Sequence, residues 1–210
     1  MTIHIDLSSF AINNYPIVLV LLNVFLALIP CWVIYYLGLR LGSKKWSNID
    51  YKAKIAFVIL FIVWFFFFPN TAYLFTMVRH LLDHCTDYHF INRICYEESW
   101  MEFFFFAYAL IGIPTFVYAL KNMSAQLGTL FHPLLKRLFP IVMIPFTSIG
   151  VMLGLLERFN SWEIFYDFKN IFNHFLMYFQ DLSMIWNLFF ITFVLYFIYY
   201  VYIPILKKVI

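Results

Sequence analysis

The strongest constraint in this sequence is that its apolar residues come in uninterrupted runs of about twenty residues, the length that a helix needs to cross a bilayer. Water-soluble domains are roughly half apolar and about a quarter charged. Here 64% of the residues are hydrophobic and 12% are charged. A soluble fold of 210 residues has no core large enough for so much apolar surface. We therefore predict an all-α integral membrane protein.

Five runs are expected to cross the membrane within a single domain, residues 1–210. The first run exceeds the core of a signal peptide, has no basic residue ahead of it and lacks a small-residue cleavage site after it, so we expect it to remain in the protein. An outer loop, 79–99, and an outer interfacial helix, 161–182, join two pairs of spans. The predicted spans are about 15–39, 55–78, 100–120, 138–156 and 183–206.

Lys and Arg residues in the connections predict the orientation, because they are enriched in cytoplasmic loops. With the N-terminus outside and the C-terminus inside, the outer segments hold four of them, namely Arg79, Arg93, Arg158 and Lys169. The inner segments hold ten: Arg40, Lys44, Lys45, Lys52, Lys54, Lys121, Lys136, Arg137, Lys207 and Lys208. The formal charge of +3, without a basic tract or a phosphate-binding glycine loop, argues against a nucleic-acid partner.

Two connections have the periodicity of amphipathic helices. In the outer one, apolar side chains recur at helical spacing: Phe165, Phe168, Ile171, Phe172, Phe175, Phe179 and Leu182. The opposite face carries Glu163, Asp167, Asn170, His174, Tyr178 and Asp181. We expect this helix to lie flat at the outer membrane surface. A weaker inner stripe, divided by Pro133, consists of Leu127, Leu130, Phe131, Leu134, Leu135 and Leu138.

The composition of the spans predicts kinked helices that pack against one another. Membrane helices tolerate proline when neighbours satisfy the freed carbonyls. Gly150 and Gly154 form a small-xxx-small pair on the fourth span, which allows a neighbouring helix to approach closely. Prolines inside the apolar runs are Pro30, Pro69, Pro114, Pro140 and Pro145.

Polar residues at membrane depth are informative because lipid makes them costly. At about 1.5 Å per residue, the second span places Asn70 about two-thirds of the way across a core of about 30 Å. Pro69 is suited to begin a new half-helix. On that helix one face carries Asn70, Tyr73, Met77, His80 and His84. Asn70 either bonds to a neighbouring backbone at the proline break or lines a substrate site.

The histidines of the outer loop allow a metal hypothesis. His80 and His84 are four residues apart, which lets two imidazoles share one metal on a helix face. Asp83, Asp87 and His89 are near, but the spacing singles out none as a third ligand. The two residues are therefore weak metal candidates or solvated interfacial histidines, and no cofactor is predicted.

A second polar segment follows the fourth span. Asn160 and Glu163 have the spacing of a capping box for the interfacial helix, and Trp162 is typical of a membrane-interface anchor. Arg158 has a guanidinium suited to a phosphate or carboxylate of a lipid or substrate. A salt bridge to Glu157 or Glu163 is the alternative.

Both polar segments resemble the signatures of a bacterial membrane protein family, the domain-of-unknown-function family thirteen sixty-one. Pro69-Asn70 with Tyr73, Thr76 and His80 resembles its Pro-Asn-x-x-Tyr…Thr-Asp-x-x-His pattern. The segment 150–163 resembles its second pattern, Gly-x-x-x-Gly-Arg-x-x-Arg-x-Asn-Ser-Trp-Asp. The resemblance implies a multi-pass protein of the bacterial cytoplasmic membrane. It supplies no activity.

Two positions depart from the family's patterns. Met77 stands where relatives usually have Asp, and Leu155 stands where they usually have the first Arg. If that Asp and Arg serve chemistry in relatives, these replacements would abolish it here.

The second and fourth spans run in the same direction, so their polar ends are expected to meet at the outer leaflet. The predicted outer cluster comprises Asn70, Tyr73, Thr76, His80, Arg158, Asn160, Ser161, Trp162 and Glu163. We expect it to bind lipid headgroups or a partner membrane protein, with a homo-oligomer also open. One alternative is an enzyme acting on a lipid-linked substrate, with His80 as acid or base and Arg158 as anion holder. Another is a transporter subunit.

Cys85 and Cys95 lie in the same predicted outer loop, on the oxidising side of the membrane, whereas Cys31 lies in the first span. We therefore predict a disulfide between the first two. Free thiols packed against Phe90 and Ile94 are the alternative.

Overall fold

A computed structural model describes the backbone of residues 11–12, 15–79, 90–91, 94–95 and 99–209, and the side chains of 20–76 and 103–204. Its α-helices are α1 Ile17–Leu41, α2 Tyr51–Phe67, α3 Pro69–Tyr73, α4 Ser99–Leu130, α5 Leu135–Leu156, α6 Phe168–Tyr178 and α7 Leu182–Val209. Short 3-10 helices cover Trp46–Asn48, Leu74–Arg79 and Glu163–Phe165. Two minimal antiparallel pairs join β1 Ala11–Ile12 to β2 Tyr15–Pro16 and β3 Phe90–Ile91 to β4 Ile94–Cys95.

The prediction of a helical chain with five spans is confirmed. Five stretches of the described chain are long and apolar enough to cross a bilayer. The second passes through α2, α3 and part of the 3-10 turn that follows, so the break at Pro69 lies within a span. The spans are Val20–Leu41, Tyr51–Thr76, Phe103–Leu130, Leu135–Leu156 and Leu182–Pro204.

The prediction of an inner interfacial helix is wrong for the first part of its stripe, because α4 continues to Leu130. Phe131, Leu134 and Leu138 of the same stripe are exposed. Leu127 and Leu130 are buried in the bundle core. At about 1.5 Å per residue, the 32 residues of α4 extend about 48 Å, well beyond a bilayer core of about 30 Å. The helix ends only near Pro133, since a residue that precedes proline avoids the helical conformation. A turn then leads directly into α5.

Pro69 begins a half-helix, as predicted, because its missing N–H belongs to the first turn, where helical donors have no partner. The half-helix is only five residues long and gives way to a 3-10 helix at Leu74. A 3-10 helix has about three residues per turn. The predicted α-helical face from Asn70 through Met77 is therefore not continuous.

Aromatic side chains form the centre of the bundle. Trp64 and Phe68 are fully buried and stack with ring centroids 4.5 Å apart, and Phe68 stacks on Phe116 of α4 at 5.4 Å. At one end of the bundle, the Tyr108 hydroxyl of α4 donates to the Val20 carbonyl of α1 at 2.9 Å. At the other end, the Gln126 amide donates to the Gly42 carbonyl at 3.3 Å. These contacts fix the helices at both ends.

Candidate functional site

The two polar segments that the sequence singles out are in direct contact. The Asn70 side-chain amide donates to the Ser161 hydroxyl at 2.8 Å and to the Phe67 carbonyl at 3.1 Å. The bond to Phe67 satisfies a carbonyl at the proline break, as expected if Asn70 bonds to a neighbouring backbone. The bond to Ser161 joins residues 91 positions apart. Asn70 therefore ties the start of α3 to the loop that follows α5.

Close packing between α3 and α5 makes this contact possible. Gly150 lies against the ring of Pro69, and Gly154 lies against the ring of Tyr73. A side chain at Gly150 would hold α3 away from α5, because its Cβ would lie 2.7 Å from the Pro69 ring. The small-xxx-small pair therefore faces the proline break rather than a second long helix.

Arg158 has a backbone conformation that is unusual for a residue with a side chain. Its φ is 59°, the positive value that glycine adopts most easily, and such a conformation costs about 1–3 kcal/mol. Among the described residues no other non-glycine has a positive φ. The left-handed residue ends α5 and reverses the chain, so that the Phe159 N–H donates to the Leu153 carbonyl at 3.3 Å.

The acidic neighbours of Arg158 are occupied elsewhere. Glu163 accepts from the Asn160 backbone N–H at 3.2 Å and from its side-chain amide at 2.9 Å, which is the carboxylate half of a capping box. Glu157 contacts His174 at 3.3 Å. Arg158 is exposed and forms no ion pair within the described residues. Arg158 therefore forms neither of the two salt bridges that the sequence allowed, to Glu157 or to Glu163.

Glu157 joins the end of α5 to α6. Its carboxylate lies 3.3 Å from His174 Nδ1 and 3.5 Å from the Tyr178 hydroxyl. Burial, then the charge of Glu157 and the contact with it, raises the pKa of Tyr178 above its ordinary range, so this hydroxyl stays protonated. A carboxylate beside an imidazole is an arrangement used in acid–base chemistry. Here the Phe159 ring lies edge-on to His174 with centroids 5.4 Å apart.

The amphipathic helix that follows α5 is shorter than predicted, because α6 covers only residues 168–178 of the expected 161–182. Its polar residues His174 and Tyr178 both contact Glu157 at the end of α5. Phe168, Phe172 and Phe179 are exposed. The helix therefore packs through its histidine side and presents phenylalanines outward.

An amphiphilic cavity opens beside the Asn70–Ser161 contact. Its larger part has a volume of about 190 Å³ and is mostly apolar, with Thr147, Asn160 and Ser161 as its polar lining. Its apolar lining comes from α2, α5 and the loop between α5 and α6, and it includes Phe65, Phe66, Phe146, Leu153 and Ile164. A smaller part, of about 40 Å³, is lined by Asn23, Asn70, Tyr73, Asn160 and Ser161. Phe159, Asn160 and Ser161 line both parts, so the apolar part and the polar part adjoin at these residues.

The remaining predicted residues are placed as follows. The Thr76 hydroxyl donates to the Tyr73 carbonyl at 2.7 Å and serves the local turn. Trp162 is half-buried beside the cluster and does not line the cavity. His80, His84 and Cys85 lie outside the described residues, as does the side chain of Cys95. The metal and disulfide hypotheses stay predictions.

Sequence reasoning missed Asn23 and the Glu157–His174–Tyr178 contact. Asn23 was detectable as a polar side chain in the first span. His174 and Tyr178 were detectable as a pair spaced by one helical turn, but their partner lies on another helix. Only the tertiary structure brings these groups to the cavity and its rim.

These features define a class of protein: an apolar five-span helical bundle in which a proline-broken helix and an arginine-bearing loop enclose an amphiphilic cavity. Within that class, the chain belongs to the family described as "Protein of unknown function (DUF1361)", whose sequence model matches residues 22–198. The match includes both polar segments. No curated protein and no solved structure matches the chain.

Proposed function

We propose that the chain binds a membrane lipid, or a lipid-linked molecule with a phosphate-bearing headgroup, in the cavity beside Asn70 and Ser161. An acyl segment occupies the apolar part and the headgroup meets the amides, the hydroxyl and Arg158. The observation that carries this proposal is that an apolar cavity and a polar one adjoin at Phe159, Asn160 and Ser161. Few ligands other than an amphiphile satisfy both linings.

The size of the cavity supports a chain segment rather than a whole lipid. An apolar cavity of about 150 Å³ holds one benzene molecule. The 190 Å³ of the apolar part therefore suits a short stretch of one acyl chain, with the rest of the lipid in the bilayer. Asn160 and Ser161 offer donors and acceptors to a glycerol or phosphate oxygen. Arg158 immediately precedes Phe159 of the cavity wall and adds a charge suited to phosphate.

The proposal includes an orientation in a bacterial cytoplasmic membrane. The end with Asn70, Arg158 and α6 faces outward, because the connections at the opposite end hold ten of the fourteen Lys and Arg residues. Exposed Phe168 and Phe172 on α6 suit insertion at the outer membrane surface. Single cysteines at Ser47 and Asn173 test this orientation with a membrane-impermeant maleimide. In intact cells we expect labelling of Asn173→Cys alone, and labelling of Ser47→Cys alone would reverse the orientation.

Lipid binding is tested with phosphatidylglycerol that carries a diazirine in its acyl chain. In liposomes, we expect irradiation to label the apolar lining, with Phe146 and Ile164 among the labelled residues. Leu153→Trp fills the apolar part and is expected to reduce this labelling about tenfold, since its occupant loses most of its buried contact. Mass spectrometry of peptides maps the labelled positions.

The matched control is Leu156→Trp, which adds the same group to an exposed position three residues along α5. We expect it to leave labelling of the cavity unchanged. Equal labelling in both variants, or label spread evenly over exposed lipid-facing residues such as Leu21 and Phe193, would show an ordinary lipid annulus and contradict the proposal.

A further inference from the structure

A second large cavity lies at the opposite end of the bundle, where α4 ends and α5 begins beside α7. Its volume is about 850 Å³, within the range of about 300–1,000 Å³ that is typical of ligand sites. Three cationic residues line it: Lys121 from α4, and Lys136 and Arg137 from α5. The buried side chains of Ser124 and Tyr199 also contribute to its wall.

The three cations have no acidic partner within the described part of the chain. Asp50 is the one carboxylate described at this end of the bundle, and it accepts from the Ala53 backbone N–H as the cap of α2. The other described carboxylates, at positions 157, 163, 167 and 181, lie at the end that carries Arg158. Positive charge around this cavity is therefore uncompensated by the described side chains.

The start of α5 increases this positive potential. Lys136 and Arg137 lie in its first turn, which has no acidic residue. A helix N-terminus carries a partial positive charge and favours anions, so cations there are unfavourable unless an anion is bound. His132 contributes a further donor: its Nδ1 accepts from the Leu134 N–H at 3.2 Å, which leaves Nε2 to carry a proton towards a ligand.

We propose that this cavity binds the phosphate group of an anionic phospholipid from the cytoplasmic leaflet. Basic pockets between membrane helices on the cytoplasmic side are suited to such headgroups. The cavity wall includes Leu134, Ile141 and Tyr200, which are exposed on the outside of the bundle and offer an apolar path for acyl chains. Cytoplasmic enrichment of Lys and Arg accounts for cations at this end, but not for their convergence on one cavity.

The test measures phosphatidylglycerol binding to the full chain by native mass spectrometry, with phosphatidylcholine as the neutral-headgroup comparison. All variants carry Leu153→Trp, which closes the outer cavity, so that this site is measured independently of the proposed function. Lys121→Gln, Lys136→Gln and Arg137→Gln together are expected to weaken phosphatidylglycerol binding about 100-fold, since each cation near an anionic lipid contributes about 1 kcal/mol.

The matched control removes three cations from the same end, with Lys44→Gln, Lys45→Gln and Lys52→Gln. These exposed residues lie outside the cavity, and we expect their loss to change binding less than about threefold, as weak surface electrostatics does. If both triple variants weaken phosphatidylglycerol binding equally, the lipid responds to the general surface charge and the proposed site is wrong. Unchanged binding in the cavity variant would overturn it as well.

A single substitution and a competition with inorganic phosphate complete the test. Lys136→Glu alone, an exposed substitution with little effect on packing, is expected to weaken binding at least about tenfold if the triple variant folds poorly. A large excess of inorganic phosphate is expected to leave phosphatidylglycerol bound. Displacement by phosphate alone would identify a soluble anion as the ligand and overturn the lipid assignment.

Discussion

Gly150→Ala is expected to destabilise the bundle by about 1–3 kcal/mol, the usual cost of adding atoms to a packed core. A Cβ at this position would lie 2.7 Å from both Cβ and Cγ of Pro69, closer than real Cβ contacts occur. Pro69 cannot move aside, because its ring is closed onto the backbone that begins α3. Relief therefore requires α3 and α5 to separate.

The same substitution is expected to impair the cavity. Separation of α3 from α5 is expected to lengthen the Asn70–Ser161 hydrogen bond, which joins α3 to the loop that follows α5 at 2.8 Å. Lipid labelling of the cavity should therefore fall together with stability. Denaturant unfolding of purified protein in detergent micelles, followed by tryptophan fluorescence, measures the stability change.

Gly38→Ala provides the matched control, because it adds the same methyl group to a helix where nothing lies within 4 Å of the new Cβ. We expect it to be neutral or to stabilise α1 by up to about 1 kcal/mol, the difference in helix propensity between glycine and alanine. Similar destabilisation by both substitutions would indicate a general intolerance of the helices to alanine. The close approach of Gly150 to Pro69 would then not explain the effect.

The features that sequence predicted correctly are those fixed by local chemistry. The apolar runs identify the spans because polar groups find no hydrogen-bonding partner in lipid. Pro69 starts a half-helix because its ring fits the first turn, and Asn160 and Glu163 pair because they are three residues apart. Each of these depends on neighbouring residues along the chain.

The features that sequence did not predict depend on which neighbouring elements pack against a given stretch of the chain. Leu127 and Leu130 form an apolar stripe that suits either a membrane surface or a bundle core, and only the packing of α4 selects the core. His174 lies on the polar side of α6, but periodicity does not tell which side covers the protein. Glu157, which contacts it, directly follows the last residue of α5.

The Arg158 conformation was also beyond the sequence pattern. Glycine is the usual residue at a left-handed helix end, and arginine gives no signal for it. An arginine at this strained position suggests a role for its side chain, because the backbone alone would favour glycine. The role of the Arg158 side chain can therefore be tested separately from the effect of its backbone conformation.

Arg158→Gly and Arg158→Ala are expected to weaken phosphatidylglycerol binding at the outer cavity by about tenfold to 100-fold, since a hydrogen bond to a charged group contributes about 1.5–3 kcal/mol. Arg158→Lys keeps the charge but not the forked donor and is expected to retain part of the affinity. The lipid concentration that gives half-maximal diazirine labelling measures each change. Leu153 and the rest of the cavity lining remain unaltered in all three.

The folding stability of Arg158→Gly and Arg158→Ala is expected to differ, although their lipid affinity is not. At φ 59°, glycine is unstrained whereas alanine keeps the steric cost, so Arg158→Gly should be more stable than Arg158→Ala by about 1 kcal/mol. If the guanidinium binds the headgroup, the two variants lose affinity equally despite this difference. If Arg158 instead matters only for the turn that places Phe159, glycine preserves that turn and Arg158→Gly binds lipid as the unaltered chain does. That second result would remove Arg158 from the proposed site.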